Sequence, residues 1–210
     1  MNANHANCEY LIKMTSFVNV SNSKKTKYIV GKPGKHVFFL FNYSGRLHIE
    51  IKSRDAEVFI YGIYIGRGTD NFKLESVQHH LVGQNVSDLL IKGVFFDESK
   101  FIYEGLIRIE KKAQKSNAYQ KNQNLLMSPK VFVDSRPFLE ILANDVRCTH
   151  GSTTGRLDAE QIYYLRSRGL DMKKAEKVLI DGFIEDVFNK MEALGYKNAP
   201  SLKKNLERIV

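Results

Sequence analysis

Cysteine is scarce. Cys8 and Cys148 are the only two in 210 residues, which excludes a disulfide-stapled secreted domain and suits a reducing compartment; a bridge between them is not expected. Long hydrophobic runs are also missing. The apolar stretches "VFFLF" and "VFF" are far short of the roughly 18 residues of a membrane span and have the length of buried strands. The first 36 residues hold no apolar segment with a small-residue cleavage site, and they carry lysine where a transit peptide carries arginine, so the expected location is cytoplasmic, with no membrane anchor. A hydrophobic content of 43% is enough for a real core in one domain with an appendage.

The net charge of +9 is unevenly spread. Residues 1–36 hold six lysines against one glutamate, residues 37–155 hold 15 basic and 13 acidic side chains, and residues 156–210 hold 11 and 9. Neither of the last two segments builds a stripe that would track phosphates, so a nucleic-acid partner is not expected. Residues 1–35 read as a basic, solvated, flexible arm.

Between residues 36 and 150 helical periodicity is absent, as are the Asn-Gly and Asp-Gly dipeptides of tight hairpins. What is there is a succession of strand-like runs about 10 to 12 residues apart: "HVFFLF", "RLHIEIKS", "EVFIYGIYI", "NFKLESVQHHL", "DLLIKGVFF", "KFIYEGLIRI" and "KVFVDSRPFLEI". In "RLHIEI" the apolar Leu47, Ile49 and Ile51 alternate with His48 and Glu50, as on a half-buried strand. A sandwich and a parallel β-helix both fit this spacing. The missing hairpin signals and the small residues after every few strand positions favour the second, over residues 36–155.

The character changes after Gly155. Asp158 caps a short helix that Gly169 stops, and Asp171 caps a long one whose Ala175, Leu179, Phe183, Val187 and Met191 step along one face to Gly195. Ser201 is placed to cap a last helix, so residues 156–210 form a small helical domain behind a mainly β body.

Three constellations invite chemistry. In "ANDVRCTHGSTTG" the strand is expected to end at Val146–His150 and the small residues Gly151–Gly155 to form a hinge. Residues two apart share a strand face, so Cys148 and His150 are able to touch one metal, yet two ligands do not close a site and a second chain would have to complete it. The plainer account makes Cys148 a small buried hydrophobe and His150 a hydrogen-bonded strand-end residue. A metal-dependent enzyme or cysteine hydrolase centred on the pair lacks an identifiable third group or oxyanion hole. His79 and His80, as neighbours, should face opposite sides of a strand and not share a metal. "GIYIGRG" at 62–68 imitates a phosphate loop without the following helix or the Lys-Ser/Thr ending, and reads as a turn.

The stretch from Gly105 to Phe188, through "GLIRIEKKAQKSNAYQKNQNLLMS" and "VDSRPFLEILANDVRCTHGSTTGRLDAEQIYYLRSRGL", resembles the SufB and SufD family of iron-sulfur cluster assembly proteins, the SufD branch most closely. The resemblance implies a right-handed parallel β-helix followed by a small C-terminal α-helical domain, and a scaffold without turnover of its own. Its implied partners are a SufB-like chain, or a second copy of itself, at the β-helix and a SufC-like ABC ATPase at the C-terminal helices. It further implies no cofactor held stably by the lone chain, a transient iron-sulfur cluster in the complex, ATP on the partner and reduced flavin in the full assembly. His150 matches the histidine of the Cys-Ser-His-Gly motif of SufD and is the implied metal contact, with Cys148 beside it at the cluster-assembly interface. Arg166, Ser167, Arg168, Gly169 and Phe183 are the implied ATPase contact. Thr149, Asn144 and Ser152 depart mildly from the pattern, and typical members carry a longer N-terminal region and more coils. SufB members have "EHEA" in place of the Cys-x-His-Gly motif, which makes a SufB-like subunit the weaker assignment. A stand-alone homodimeric β-helix binding module is the alternative from another class.

Overall fold

The structure is a computed structural model that describes residues 14–196 together with Ala199 and Leu202. Strands alternate between two parallel sheets. One sheet holds β1 (Met14–Asn19), β3 (Gly34–Phe41), β5 (Ala56–Gly66), β7 (Val86–Phe95), β9 (Asn117–Leu126) and β11 (Arg147–Gly155), stacked in that order. The other stacks β2 (Lys27–Val30), β4 (Gly45–Ile51), β6 (Asn71–His80), β8 (Lys100–Ile109) and β10 (Phe132–Ile141). Every pairing is parallel, and Phe59 lies beside Asp88, Asp88 beside Tyr119 and Tyr119 beside Thr149, so one coil takes about thirty residues. This is the expected parallel β-helix, in which each coil contributes two strands.

The corners explain why hairpin dipeptides are missing. Asp55, Gln84 and Lys115 adopt positive φ one or two residues before β5, β7 and β9, and these turns stack: the Asp55 amide donates to the Gln84 carbonyl, and the Gln84 amide to the Gln114 carbonyl of the next coil. The chain reverses by a bend in each coil rather than by a two-residue turn between antiparallel strands.

Between the sheets lies an apolar core of Leu47, Ile49, Val58, Ile60, Leu89, Ile91 and stacked aromatic rings, with Tyr64 against Phe101 and Phe101 against Phe95 and Tyr103. Room for the rings requires glycine nearby: a Cβ on Gly105 would stand 2.3 Å from the Tyr103 hydroxyl and 2.4 Å from Gln120 Nε2. Polar groups inside the stack are netted across coils. Buried His80 bonds through Nδ1 to Asn85 Oδ1 (2.6 Å) and through Nε2 to the Ser87 hydroxyl (2.8 Å), Ser116 Oγ donates to the same Asn85 oxygen, and Asn85 Nδ2 donates to the carbonyls of Val82 and Ser53.

The first sheet is covered on its outer side as well. Helix α2 (Met172–Ala193) lays Ile180, Ile184, Val187, Phe188 and Met191 on Val37, Phe39, Tyr61, Ile63, Leu90 and Val94. Strands buried on both faces need unbroken apolar sequence, which accounts for "HVFFLF" and "FIYGIYI", whereas β4, on the sheet without a helix, alternates. Asp171 caps α2 through the Lys174 amide and Asp158 caps α1 (Ala159–Ser167) through the amides of Glu160 and Gln161, with Gly169 and Gly195 at positive φ after the two helices. The buried face of α2 follows a 3.6-residue period, so Leu179 and Phe183 of the expected four-residue stripe are only half-buried. Helix α2 therefore shares its core with the first sheet, whereas α1 buries no residue.

Two expectations are corrected. Residues 14–30, assigned to a flexible basic arm, include β1 and β2. Val20, Tyr28 and Val30 enter the core while Lys24, Lys25 and Lys27 face solvent, so the charge decorates the outside of a coil. The supposed hinge at Gly151–Gly155 is the second half of β11, paired with β9 as far as Gly155 beside Leu125. Small hydroxylated residues are tolerated there because a neighbouring strand supplies backbone partners. Residues 1–13 of the arm, including Cys8, and all but Leu202 of the helix expected from Ser201 lie outside the described residues. Among the described residues no helix is long and apolar enough to cross a membrane.

Candidate functional site

Strands β10 and β11 end the two stacks, each paired on one edge only among the described residues. Cys148 lies beside Ala118 and His150 beside Gln120 in the register with β9, and Ala118 and Gln120 are both buried inside the coil. The two side chains thus belong to the inward face of the terminal rung, as their two-residue spacing requires. Cys148 is half-buried against Ile107, Ile109, Ala113, Ala118 and Ala143, whereas His150 is exposed. Burial pushes the Cys148 thiol up to about 11, so at neutral pH it is protonated and a poor nucleophile. In a chain with Cys8 replaced by serine, alkylation of Cys148 at pH 7.5 is expected to be at least about tenfold slower than that of free cysteine and to accelerate toward pH 11; a rate equal to free cysteine would contradict the burial.

Behind this rung the interior turns polar. Gln78, Gln120, Asn122 and Asn124 are all buried. Asn124 Nδ2 donates to Asn122 Oδ1 at 2.6 Å and to the Thr154 hydroxyl at 3.3 Å, and Gln120 Nε2 donates to the Gly105 carbonyl. Gln78 Oε1, Asn122 Nδ2 and Asn124 Oδ1 have no hydrogen-bond partner among the described residues. In the sequence this row is written only as the alternation of polar residues in "AYQKNQN". Around the rim, Phe132, Phe138, Leu139, Ile141 and Leu142 are exposed, a concentration of apolar surface on one coil.

The remaining sequence candidates separate. Arg166, Ser167, Arg168 and Gly169 lie together at the exposed end of α1, where the Arg168 guanidinium sits over the Tyr164 ring at 5.2 Å. Phe183 is apart from them: its ring lies under the Lys92 ammonium at 4.4 Å and its carbonyl accepts from Lys92 Nζ at 2.8 Å, which turns it toward the sheet. His79 and His80 face opposite sides of β6, His80 inside and His79 on the outer surface. "GIYIGRG" is the end of β5 and the turn after it, with Gly68 at positive φ.

The fold is a β-solenoid whose terminal rung sets Cys148 and His150 on one strand face within an apolar rim, with a helix pair following the strands. The chain belongs to the SufBD family: the model described as "SUF system FeS cluster assembly, SufBD core domain" matches residues 3–183. It is similar to the iron-sulfur cluster assembly protein SufD of Escherichia coli, 40% identical over 108 residues, which is 51% of this chain and 26% of that protein. It is also similar to SufD of Bacillus subtilis, 36% over 137 residues, 64% of this chain and 31% of that protein. A SufBD family protein of Mycobacterium leprae is 30% identical over 145 residues, covering 65% of this chain and 36% of its own length. The chain thus spans about a quarter to a third of these curated relatives.

Proposed function

We propose that the chain is a SufD-like, non-catalytic scaffold subunit in iron-sulfur cluster assembly. In this reading a SufB-like chain covers the end formed by β10 and β11, and an ABC-type ATPase docks on α1 around Arg166, Ser167, Arg168 and Gly169. The observation that carries it is the incomplete ligand pair, Cys148 and His150, on a terminal rung ringed by exposed Phe138, Leu139, Ile141 and Leu142. Two ligands need a partner to make a cluster site, and an apolar rim needs a partner to leave water. The cluster is cargo: it is held while it is built and then released. ATP is bound by the ATPase, and reduced flavin is carried by the assembly.

Co-expression with a SufB-like and a SufC-like chain tests the proposal. A stoichiometric complex is expected, and His150→Ala should leave the complex intact while lowering reconstituted cluster yield by on the order of tenfold, as for loss of one ligand. Unchanged yield would remove His150 from the site. A chain that stays apart from both partners and forms only a homodimer would favour the stand-alone binding module.

A further inference from the structure

The outer face of the second sheet brings together three groups that the sequence scatters. His48 and Glu50 are two apart on β4 and therefore on one side, and His79 of β6 lies directly beside Glu50 in the register. One ligand atom from each lies within 4.8 Å of the others, and no second group of three such residues occurs among the described residues. His48 Nε2 and His79 Nδ1 are 3.4 Å apart. Two nitrogens bound to one tetrahedral zinc at about 2.0–2.1 Å stand about 3.3–3.4 Å from each other, so the imidazoles already have the separation of a shared metal.

The surroundings are arranged as for a ligand. His79 Nε2 meets Glu110 Oε1 at 2.9 Å, and Glu110 is in turn fixed by Arg108 Nε at 2.9 Å. A carboxylate behind a histidine selects the tautomer with the proton on Nε2 and leaves Nδ1 bare and turned toward His48, the relay that commonly backs a metal-bound histidine. Glu50 is buried and engaged by two lysines, Lys27 at 2.8 Å from Oε1 and Lys52 at 3.0 Å from Oε2. Beyond its ion pair with Lys52, Oε2 has no partner among the described residues, so it keeps a lone pair for a ligand bond. The lysine charges oppose a cation, which would have to displace Lys52 from Oε2.

We propose that His48, His79 and Glu50 form a binding site for a divalent first-row transition ion of the zinc class, with Glu110 as the positioning residue. Two imidazoles and a carboxylate are a borderline donor set that suits Zn2+ and Co2+ over Ca2+ or Mg2+. The ion would tie β4 to β6, adjacent coils, and leave a fourth position open to water or to another chain. The site is on the outer face of β4 and β6, not on the terminal rung, and its existence is independent of the proposed function.

The probe is Zn2+, and Co2+ for its visible d–d absorption, added to the full chain after chelator treatment. One equivalent per chain is expected, with a rise in Tm and a tetrahedral or five-coordinate Co2+ spectrum. His48→Gln, which keeps a polar side chain of similar reach, and His79→Ala should each abolish binding; Glu110→Gln should weaken it about 10- to 100-fold. Cys148→Ala with His150→Ala should leave the stoichiometry unchanged. Binding that survives His48→Gln, or that disappears with Cys148 and His150, would overturn the assignment, as would the absence of any bound equivalent in a wild-type chain with native circular dichroism.

Discussion

Lowering the pH from about 6.5 to 4 is expected to remove about 3 kcal/mol of stability through His80 alone, by the proton linkage of a buried neutral imidazole. Burial lowers the His80 imidazole from 6.5 to about 4, against the smaller opposite pull of Asn85. The unfolded chain therefore binds a proton in that window that the folded chain refuses, so stability is complete above about 6.5 and declines as pH falls toward 4. A difference of about 2.5 pKa units at 1.36 kcal/mol each gives the magnitude. Glu50 does not confuse the window, because Lys27 and Lys52 hold its carboxyl down to about 2 and its contribution fades only below about 4.5. His48 is also lowered, chiefly by burial, and its effect has the same sign, so the comparison to make is urea unfolding of wild type and His80→Gln at pH 7 and pH 4.5. The His80→Gln variant should be less stable than wild type at pH 7, since Asn85 and Ser87 lose their shared partner, and its stability should depend less steeply on pH. Equal slopes would show that His80 is not held neutral.

Removing Asp186 is expected to loosen α2 from the solenoid by about 2 kcal/mol, an effect between those of a buried and an exposed ion pair. Lys92 projects from β7 into the helix interface with a side chain only 7% exposed, and Asp186 stands 2.9 Å from its ammonium. Asp186→Ala leaves that cation buried against the Phe183 carbonyl and ring, with no carboxylate beside it. Lys92→Met, by contrast, removes the charge and keeps the volume, and should be nearly neutral. Hydrogen exchange in α2 reads the difference: about thirtyfold faster amide exchange in Asp186→Ala, from about 2 kcal/mol of lost protection, and little change in Lys92→Met. If both variants behave alike, the pair is not what clamps the helix.

The sequence showed the β-helix through a missing hairpin chemistry and showed both helices, the short and the long, through Asp158, Asp171, Gly169 and Gly195, because caps and turns are local. It did not show that "KYIV" is a strand, since four residues with lysines on the outside look like an arm until a neighbouring coil buries Tyr28 and Val30. Cys148 and His150 were placed on one face from spacing alone. The His48, Glu50 and His79 cluster was invisible because its members are a full coil apart: His48 and His79 are separated by 31 positions, and only the register between β4 and β6 makes them neighbours. The same holds for Lys92 and Asp186, whose pairing depends on how a helix lies on a sheet.

In a stack of coils each rung is stabilised by the rungs on either side, so opening begins where a neighbour is missing. The rung of Cys148 and His150 has one neighbour among the described residues, β9, and its rim is apolar. A chain that docks there acts as the absent rung, and the free energy of its binding is released as order in β10 and β11. Under the proposed function, ligand geometry at Cys148 and His150 would then sharpen only on assembly, and the readiness of the site would depend on the partner chain without any moving switch.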